Sequence, residues 1–445
     1  MAIATNNIDP GTNHQHATVR DRGLVRAVGT WAFAATIVNG VVGGGIFSLP
    51  AAMAGTAGQW APLALLVCAL ASGAVNLCAA EASGRVATSG GAYGYADAAF
   101  GPIAAFVTGV LVWLSSVLAC GGIAAALVDG LAHSLPVLGD PVWRAATVIL
   151  VIGGLALINS RGVDPAARFV TALTLIKLVP LVILVIVGGG WLLVHGGAPP
   201  APQPPASALG QAFILALFAF SGMETPLSAS GEVANPSRTI PRALFIATVF
   251  TALLYVAIQL VVQGLLGADL PGSATPLADA MGRVAPWLGL VLLFGASLSR
   301  FGWIGSDIFG APRVLFAFAR DGMLPGWLGA AHPRTHAPHR AILLHGFLAI
   351  LLAISGTFEA LAILSGLATA GIYILICAAA WRLHRLGVTT GEAAARYAVL
   401  PYAATAGILA MLAIIAVGAP REIVGLAATV VVSAGWAAFV LRRTR

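Results

Sequence analysis

Two apolar stretches of the sequence carry small residues where a membrane helix would need continuous helix formers. Three successive glycines occupy positions 43–45, and the second stretch contains Ser221, Gly222 and Pro226. Each glycine costs about 1 kcal/mol in a helix interior, so three in succession predict a break. The half-helix after a break begins with free N–H groups that suit a carboxylate, whereas the half before it ends in carbonyls that suit an ammonium. Two such breaks side by side predict a binding site for a zwitterion such as an α-amino acid.

The composition indicates the solvent in which these stretches lie. Of the 445 residues, 59% are hydrophobic and only 9% are charged, with a mean hydropathy of +0.94. Soluble domains carry about 25% charged residues, so the composition excludes a water-soluble fold. The net charge of +7 is typical of basic cytoplasmic loops and does not indicate nucleic-acid binding. The chain is predicted to be an all-α integral membrane protein.

About twelve apolar stretches have the length of about 20 residues that a bilayer-crossing helix needs. The predicted spans are 30–54, 61–82, 103–131, 144–159, 167–193, 209–230, 243–267, 287–318, 342–355, 360–383, 398–417 and 423–441. The segments between them are short, so no separate soluble domain is expected. Interruptions in the first and sixth spans, five spans apart, indicate an inverted-repeat transporter, with close helix packing through small residues as the alternative.

The basic residues are distributed unequally between the two sides of these spans. Eighteen of the 23 fall in loops on the side of the N-terminus and three fall in loops on the other side. The remaining two, Lys177 and Arg300, lie inside spans. Because cytoplasmic loops are enriched in arginine and lysine, the sequence predicts that both termini are cytoplasmic.

Five segments, in this order, resemble motifs of the amino acid–polyamine–organocation transporter family. They are VVGGGIFSLP, EASGRVATSGGAYGYADAAFGP, INSRGVDPAARF, FAFSGMETPLSASGEVANPSRTIPRA and APRVLFAFARDGMLP. The resemblance covers nearly the whole chain and implies a LeuT-like core of five plus five inverted-repeat helices, with alternating-access transport of amino acids or related amines. The corresponding divisions are a disordered cytosolic tail at 1–24, repeats at 25–195 and 207–385, and two peripheral helices with a short cytosolic C-terminus at 396–445.

The resemblance assigns the carboxylate half of the substrate to the first interruption. It places the substrate carboxylate on the amides of Gly44 and Gly45, with Gly43 allowing the turn. It also implies that Trp303 on the eighth span closes over the substrate side chain.

The ammonium half of the substrate is assigned to carbonyl groups at both interruptions. The resemblance implies that the ammonium faces the carbonyls of Val41, Phe218 and Ser221, beside the break at Gly222. Phe218 occupies the place of an aromatic gate in the family, with a core or lipid-facing aromatic as the alternative.

Lys177 is the one lysine in the chain. It lies about ten residues into the predicted fifth span, hence roughly 15 Å deep at 1.5 Å per residue. A charge at that depth costs at least about 2.5–3.5 kcal/mol, so the side chain is expected to face the bundle interior. The resemblance implies that Lys177 is a tethered cation that holds the first helix to the eighth and replaces sodium. Snorkelling to the inner surface is the alternative, and the sequence does not decide whether the lysine releases its proton during transport.

Three further charged residues occur at membrane depth. Glu224 follows the sixth-span break and is predicted to be a proton-sensitive or gating carboxylate, with a structural cap for a freed N–H as the alternative. Arg300 and Asp307 are seven residues apart and share one helix face. They could form a network, or Asp307 could pair with Lys177. Arg300 departs from the pattern of the family.

The third and tenth spans are apolar and contain no acid at the expected pocket, which favours a neutral amino acid substrate. Proton symport is favoured, with an amino acid, cationic amino acid or polyamine exchanger as the alternative. A sodium-driven transporter on the same core and a membrane-embedded enzyme are two further hypotheses.

The histidines, including His345, are expected in loops or near span ends, so neither a catalytic cluster, a metal site nor a cofactor is predicted. The four cysteines are expected to be buried thiols: Cys68, Cys78, Cys120 and Cys377. Oligomeric state is not predicted.

Overall fold

The computed structural model of the chain describes residues 28–86, 90–161, 177–227, 233–333, 335, 337–388 and 398–443. Some of the predicted segments fall outside these residues: the cytosolic tail at 1–24, the beginning of the fifth span at 167–176, and the end of the sixth span at 228–230. Within the described residues the fold is built from helices, joined by one isolated parallel bridge between Val28 and Val233.

Twelve apolar helices correspond to the twelve predicted spans. Eight are long enough to cross a membrane by length and composition, and four are shorter. The first and sixth spans are interrupted, and their helical segments are described separately below. The other ten helices are Ala61–Arg85, Pro102–Ser134, Pro141–Ser160, Lys177–His195, Pro236–Leu266, Pro286–Gly310, His339–Ser355, Phe358–Leu386, Leu400–Ala416 and Pro420–Arg443.

Both predicted interruptions are present. The first span consists of a helix at Thr30–Val41, a 3₁₀ turn at Gly44–Phe47 and a second helix at Leu49–Ala57. The sixth span has a helix at Leu209–Ala219 and a short helical turn at Glu224–Leu227. The prediction of discontinuous first and sixth helices is therefore confirmed.

Several boundaries differ from those that hydropathy predicts. The seventh helix begins at Pro236, seven residues before the predicted start, because a proline is favourable in the first helical turn and Asn235 takes a left-handed conformation before it. In the described residues, three short helices lie between spans: Gly91–Phe100, Pro276–Val284 and Pro312–Arg320. The amide of Ala234 also donates to the carbonyl of Val28, which ties the start of the first span to the start of the seventh.

The helices pack around the interrupted spans. The tenth helix packs along the third and second helices, and the seventh packs along the second helix and the first half of the first span. The eighth and ninth helices complete a second cluster with the third and fourth. The tenth helix is largely buried, whereas the twelfth is largely exposed and contacts mainly the third. Its position agrees with a peripheral helix.

Candidate functional site

The two helix interruptions meet directly at Gly40 and Gly222. A Cβ atom built on Gly40 would lie 2.7 Å from the carbonyl oxygen of Gly222, and one built on Gly222 would lie 2.6 Å from the carbonyl oxygen of Gly40. Gly222 also has a φ of 111°, a conformation that residues with a side chain rarely adopt. Because Gly40 and Gly222 have no side chain, the backbones of the two interrupted spans can touch. This contact places the two helix breaks side by side.

The glycines at 43–45 pack against the predicted aromatic side chains. A Cβ on Gly43 would lie 2.9 Å from Nε1 of Trp303, and a Cβ on Gly45 would lie 2.7 Å from Cε1 of Phe218. The Phe218 ring is buried and forms an edge-on contact with Phe358 at 5.9 Å between ring centroids. The two aromatics that the sequence assigns to closing the site thus cover opposite ends of the glycine run.

Gly44, between them, faces the third and eighth helices. A Cβ on Gly44 would lie 2.8 Å from Cγ2 of Ile123 and 3.1 Å from Cα of Arg300. As the first two residues of a 3₁₀ turn, Gly44 and Gly45 have no acceptor within the turn for their N–H groups. Neither amide donates to another backbone carbonyl of the described residues. These two N–H groups are the donors that a carboxylate at this break would use.

Two of the three carbonyls predicted to face an ammonium, those of Val41 and Phe218, already accept hydrogen bonds from the protein. The Val41 oxygen accepts from the amide of Gly43 at 2.7 Å and from the hydroxyl of Tyr255 at 2.9 Å. The Phe218 oxygen accepts from the hydroxyl of Ser221 at 2.7 Å and from its amide at 3.2 Å. Because a carbonyl has two lone pairs, an ammonium at either position must displace one of these donors.

Glu224 caps the break in the sixth span. Its Oε2 accepts from the amide of Gly222 at 2.8 Å, and the hydroxyl of Tyr373 on the tenth helix interacts with the same carboxylate. The carboxylate therefore satisfies one freed N–H group, as the capping alternative requires, and links the sixth-span break to the tenth helix.

Lys177 reaches the first span one turn before its interruption. The Lys177 side chain is 6% exposed, and its ammonium donates to the carbonyl oxygen of Asn39 at 2.6 Å. Its Nζ therefore faces the bundle interior. Three residues further along the same helix, Pro180 packs against Gly295 of the eighth helix, where a Cβ would lie 3.0 Å from Cγ of the proline. The fifth helix thus bridges the first span, through Lys177, and the eighth helix, through Pro180.

Asp307 pairs with His345 rather than with Lys177. Its Oδ2 lies 3.0 Å from Nε2 of His345, and its Oδ1 accepts from the hydroxyl of Ser116. Ligand atoms of Cys120, Asp307 and His345 lie within 4.8 Å of one another. The expectation that His345 lies near a span end is wrong, because the ninth helix begins at His339 and buries this imidazole completely. The third, eighth and ninth helices therefore enclose a titratable cluster that the sequence did not indicate.

Arg300 is separate from this cluster, so the predicted Arg300–Asp307 network is absent from the described contacts. The guanidinium is 1% exposed and donates through Nη2 to the hydroxyl of Ser48 at 2.6 Å. It therefore joins the eighth helix to the beginning of the second half of the first span.

A polar stripe on the seventh helix holds the first span and was not predicted. The hydroxyl of Tyr255 donates to the first span at Val41, as described above. The side-chain amide of Gln259 donates to the carbonyl of Pro50 at 3.2 Å, and that of Gln263 donates to the carbonyl of Gly58 at 2.7 Å. The three residues are four positions apart, so they share one helix face. Their spacing in an otherwise apolar helix is the signal that could have identified them.

Comparisons with known proteins agree with this architecture. Residues 28–437 match the family model described as amino acid permease. An uncharacterized transporter of Mycobacterium tuberculosis is 31% identical over 333 residues, which are 72% of each chain. The branched-chain amino acid permease BcaP of Bacillus subtilis is 25% identical over 381 residues, or 82% of each chain. The methylthioribose transporter of the same organism is 26% identical over 353 residues, covering 75% of this chain and 76% of that protein.

A solved structure shares the fold. The crystal structure of MhsT in complex with L-phenylalanine superimposes with a TM-score of 0.61, covers 89% of this chain and 99% of that chain, and has 15% sequence identity. This likeness confirms the LeuT-like fold with its interrupted first and sixth helices. The relatives of the chain are transporters, which excludes the membrane-embedded enzyme. The chain belongs to the amino acid permease family, within the amino acid–polyamine–organocation transporters.

Proposed function

We propose that this permease moves neutral L-amino acids across the cytoplasmic membrane by alternating access, as a sodium-independent proton symporter with both termini inside. The observation that carries the proposal is the direct contact of the two interrupted helices at Gly40 and Gly222. Free N–H groups at Gly44 and Gly45 and the carbonyls of Val41 and Phe218 lie at the ends of these interrupted helices. They supply both polarities that a zwitterion needs without a charged side chain.

Neutral substrates are favoured by the side chains around this point. The glycine run is covered by Phe218 and Trp303, and Ile123 lies against Gly44. A cationic substrate side chain among these apolar groups would lack a counter-charge. The named substrates of two similar proteins, branched-chain amino acids for BcaP and the bound L-phenylalanine of MhsT, are neutral and apolar.

Independence from sodium is supported by Lys177. Its ammonium donates a hydrogen bond to the Asn39 carbonyl, a group that could otherwise coordinate a bound cation. A lysine held there replaces such a cation with a group that is covalently tethered to the protein. The first span and the fifth helix are then linked without an external metal ion.

Proton coupling is supported by two carboxylates buried in the second repeat. Glu224 caps the Gly222 amide beside the sixth-span break and interacts with the hydroxyl of Tyr373. Asp307 is paired with the buried His345. Glu224 is the one that touches the break, so we assign the coupling proton to it.

Uptake into proteoliposomes tests this function. Purified protein would be assayed with radiolabelled L-leucine, L-phenylalanine, L-arginine, putrescine and methylthioribose, in buffers with and without sodium, and with and without an inward proton gradient. Accumulation of leucine or phenylalanine that requires the gradient and is indifferent to sodium is the expected result. Uptake that requires amino acid inside the liposomes would replace symport by exchange. Uptake of methylthioribose without any amino acid would contradict the zwitterion site.

A further inference from the structure

The eighth helix buries a positive charge beside the first-span interruption. Arg300 is 1% exposed, and its Cγ would lie 2.9 Å from a Cβ on Gly44. Neither the resemblance nor the proposed transport mechanism uses this arginine. A charged side chain in a membrane interior is expensive unless a partner compensates it. The charge of Arg300 therefore requires an explanation.

The hydrogen bonds of the guanidinium are incomplete. Nη2 donates to the hydroxyl of Ser48, whereas Nε and Nη1 are buried without a hydrogen-bond partner among the residues that the structure describes. The acid that acts on Arg300 electrostatically is Asp129, but its carboxylate is bound to Arg144 at 3.0 Å and is 44% exposed. A guanidinium keeps its charge even when buried. Arg300 thus presents unused donors and an uncompensated charge.

A small cavity adjoins this guanidinium. It has a volume of about 10 Å³ and is lined by Arg300, by Phe47 of the first span and by Thr275, among others. Gly130 of the third helix borders the guanidinium on another side, since a Cβ there would lie 3.0 Å from Nη1. The cavity has the size of one water-sized group. Thr275 lines the cavity and also lies beside Gly130, so the cavity is on the Nη1 side of the guanidinium.

We propose that Arg300 and Ser48 form a binding site for one small monovalent anion. A neutral water at Nη1 would accept from that N–H group but would leave the charge uncompensated, whereas an anion there accepts the hydrogen bond and also compensates the charge. Ser48 accepts from the arginine through its oxygen and retains its own O–H for the anion. Two sources share this chemistry: free chloride, or the side-chain carboxylate of an acidic amino acid, which would extend the proposed substrates beyond neutral amino acids. The site is distinct from the Gly44 and Gly45 amides assigned to the α-carboxylate.

Thermal unfolding of the purified protein tests the site without measuring transport, so its failure leaves the proposed transport function unaffected. Wild type, Arg300→Gln and Ser48→Ala would be compared in sodium gluconate, in sodium chloride and in gluconate with L-aspartate. Gluconate is a bulky anion and keeps the ionic strength constant. Arg283→Gln is the matched control, because Arg283 is a partly exposed arginine paired with Asp269. Crystals of the wild type grown in bromide provide a second measurement that does not depend on the folding of a variant.

We expect chloride to raise the unfolding midpoint of the wild type and the Arg283 variant by about 2 °C or more. The Arg300 variant should not respond, and the response of the Ser48 variant should be reduced. A bromide peak beside Nε or Nη1 of Arg300 would agree. A shift with L-aspartate alone, abolished in the Arg300 variant, would identify the substrate as the source of the anion. If neither anion shifts the wild type and no bromide binds at Arg300, the site does not exist.

Discussion

The ammonium of Lys177 lies 2.6 Å from the carbonyl oxygen of Asn39, two residues before the first helix ends at Val41. The carbonyls at the end of a helix carry partial negative charge. A cation held there stabilises the end of the half-helix that the interruption leaves unpaired. This contact joins the fifth helix to the first-span interruption.

Replacing Lys177 by alanine should abolish transport while membrane insertion remains intact. The substitution removes a charge-assisted hydrogen bond worth about 1.5–3 kcal/mol and leaves the Asn39 carbonyl without this donor. Leucine uptake in proteoliposomes, normalised to the amount of reconstituted protein, is the measurement. Lys177→Gln separates charge from hydrogen bonding, because it keeps a donor and should still fail to transport. Normal uptake by the alanine variant would remove the proposed role.

A leucine at position 44 should prevent amino acid binding. The new side chain would meet Ile123 and the backbone of Arg300, where even a Cβ lies 2.8–3.1 Å from its neighbours. The turn would have to move, and the Gly44 and Gly45 amides would leave their positions. Equilibrium binding of leucine to the purified protein measures this effect. Gly73→Leu is the matched control, since nothing lies within 4 Å of a Cβ there. Equal affinity in the two variants would contradict the carboxylate assignment.

Removing the hydroxyl of Tyr255 should lower the stability of the protein without lowering its affinity for leucine. Tyr255→Phe deletes the hydrogen bond to the Val41 carbonyl and should lower the free energy of unfolding by about 0.5–1.5 kcal/mol. Leucine affinity should not fall, because the freed carbonyl becomes available to the substrate ammonium. The exposed Tyr402 provides the control substitution Tyr402→Phe, which should change neither quantity. A large loss of affinity with unchanged stability would show that the hydroxyl itself contacts the substrate.

Glu224 can act as a proton carrier or as a structural cap, and each role predicts that a different variant fails. Glu224→Gln keeps an oxygen that can accept from the Gly222 amide but cannot exchange a proton, whereas Glu224→Ala loses both properties. If the carboxylate carries the coupling proton, the glutamine variant should bind leucine and exchange it without accumulating it under an inward proton gradient. Gradient-driven accumulation by the glutamine variant, together with failure of the alanine variant, would reduce Glu224 to a cap.

The spans and both interruptions could be predicted from the sequence because their causes are local. About twenty apolar residues suffice for a helix to cross a bilayer, and successive glycines destabilise a helix wherever they occur. The first break, at the 3₁₀ turn Gly44–Phe47, overlaps the glycines at 43–45. The helix of the sixth span ends at Ala219, just before Ser221 and Gly222. The start of the seventh helix at Pro236 was missed, since hydropathy does not report the polar first turns of a helix.

The partners of the polar side chains could not be predicted, because each partner lies on a different helix. Tyr255 and Gln259 are separated from their acceptors on the first span by more than two hundred positions. The pairing of Asp307 with His345 depends on how the eighth and ninth helices cross. The sequence left Asp307 with Lys177 or Arg300 as partners, and only the packing excluded both.

We propose that backbone groups at the two meeting helix breaks bind both ends of a zwitterion. Inhibition of L-leucine uptake by matched analogues measures how much each end contributes to binding. The analogues are 3-methylbutylamine, which lacks the carboxylate, 4-methylpentanoate, which lacks the ammonium, and unlabelled L-leucine. Leucine should compete fully, and each analogue should be weaker by at least about a hundredfold, corresponding to the roughly 3 kcal/mol lost when a charged hydrogen-bonding group is removed. Competition by either analogue equal to that of leucine would contradict the claim.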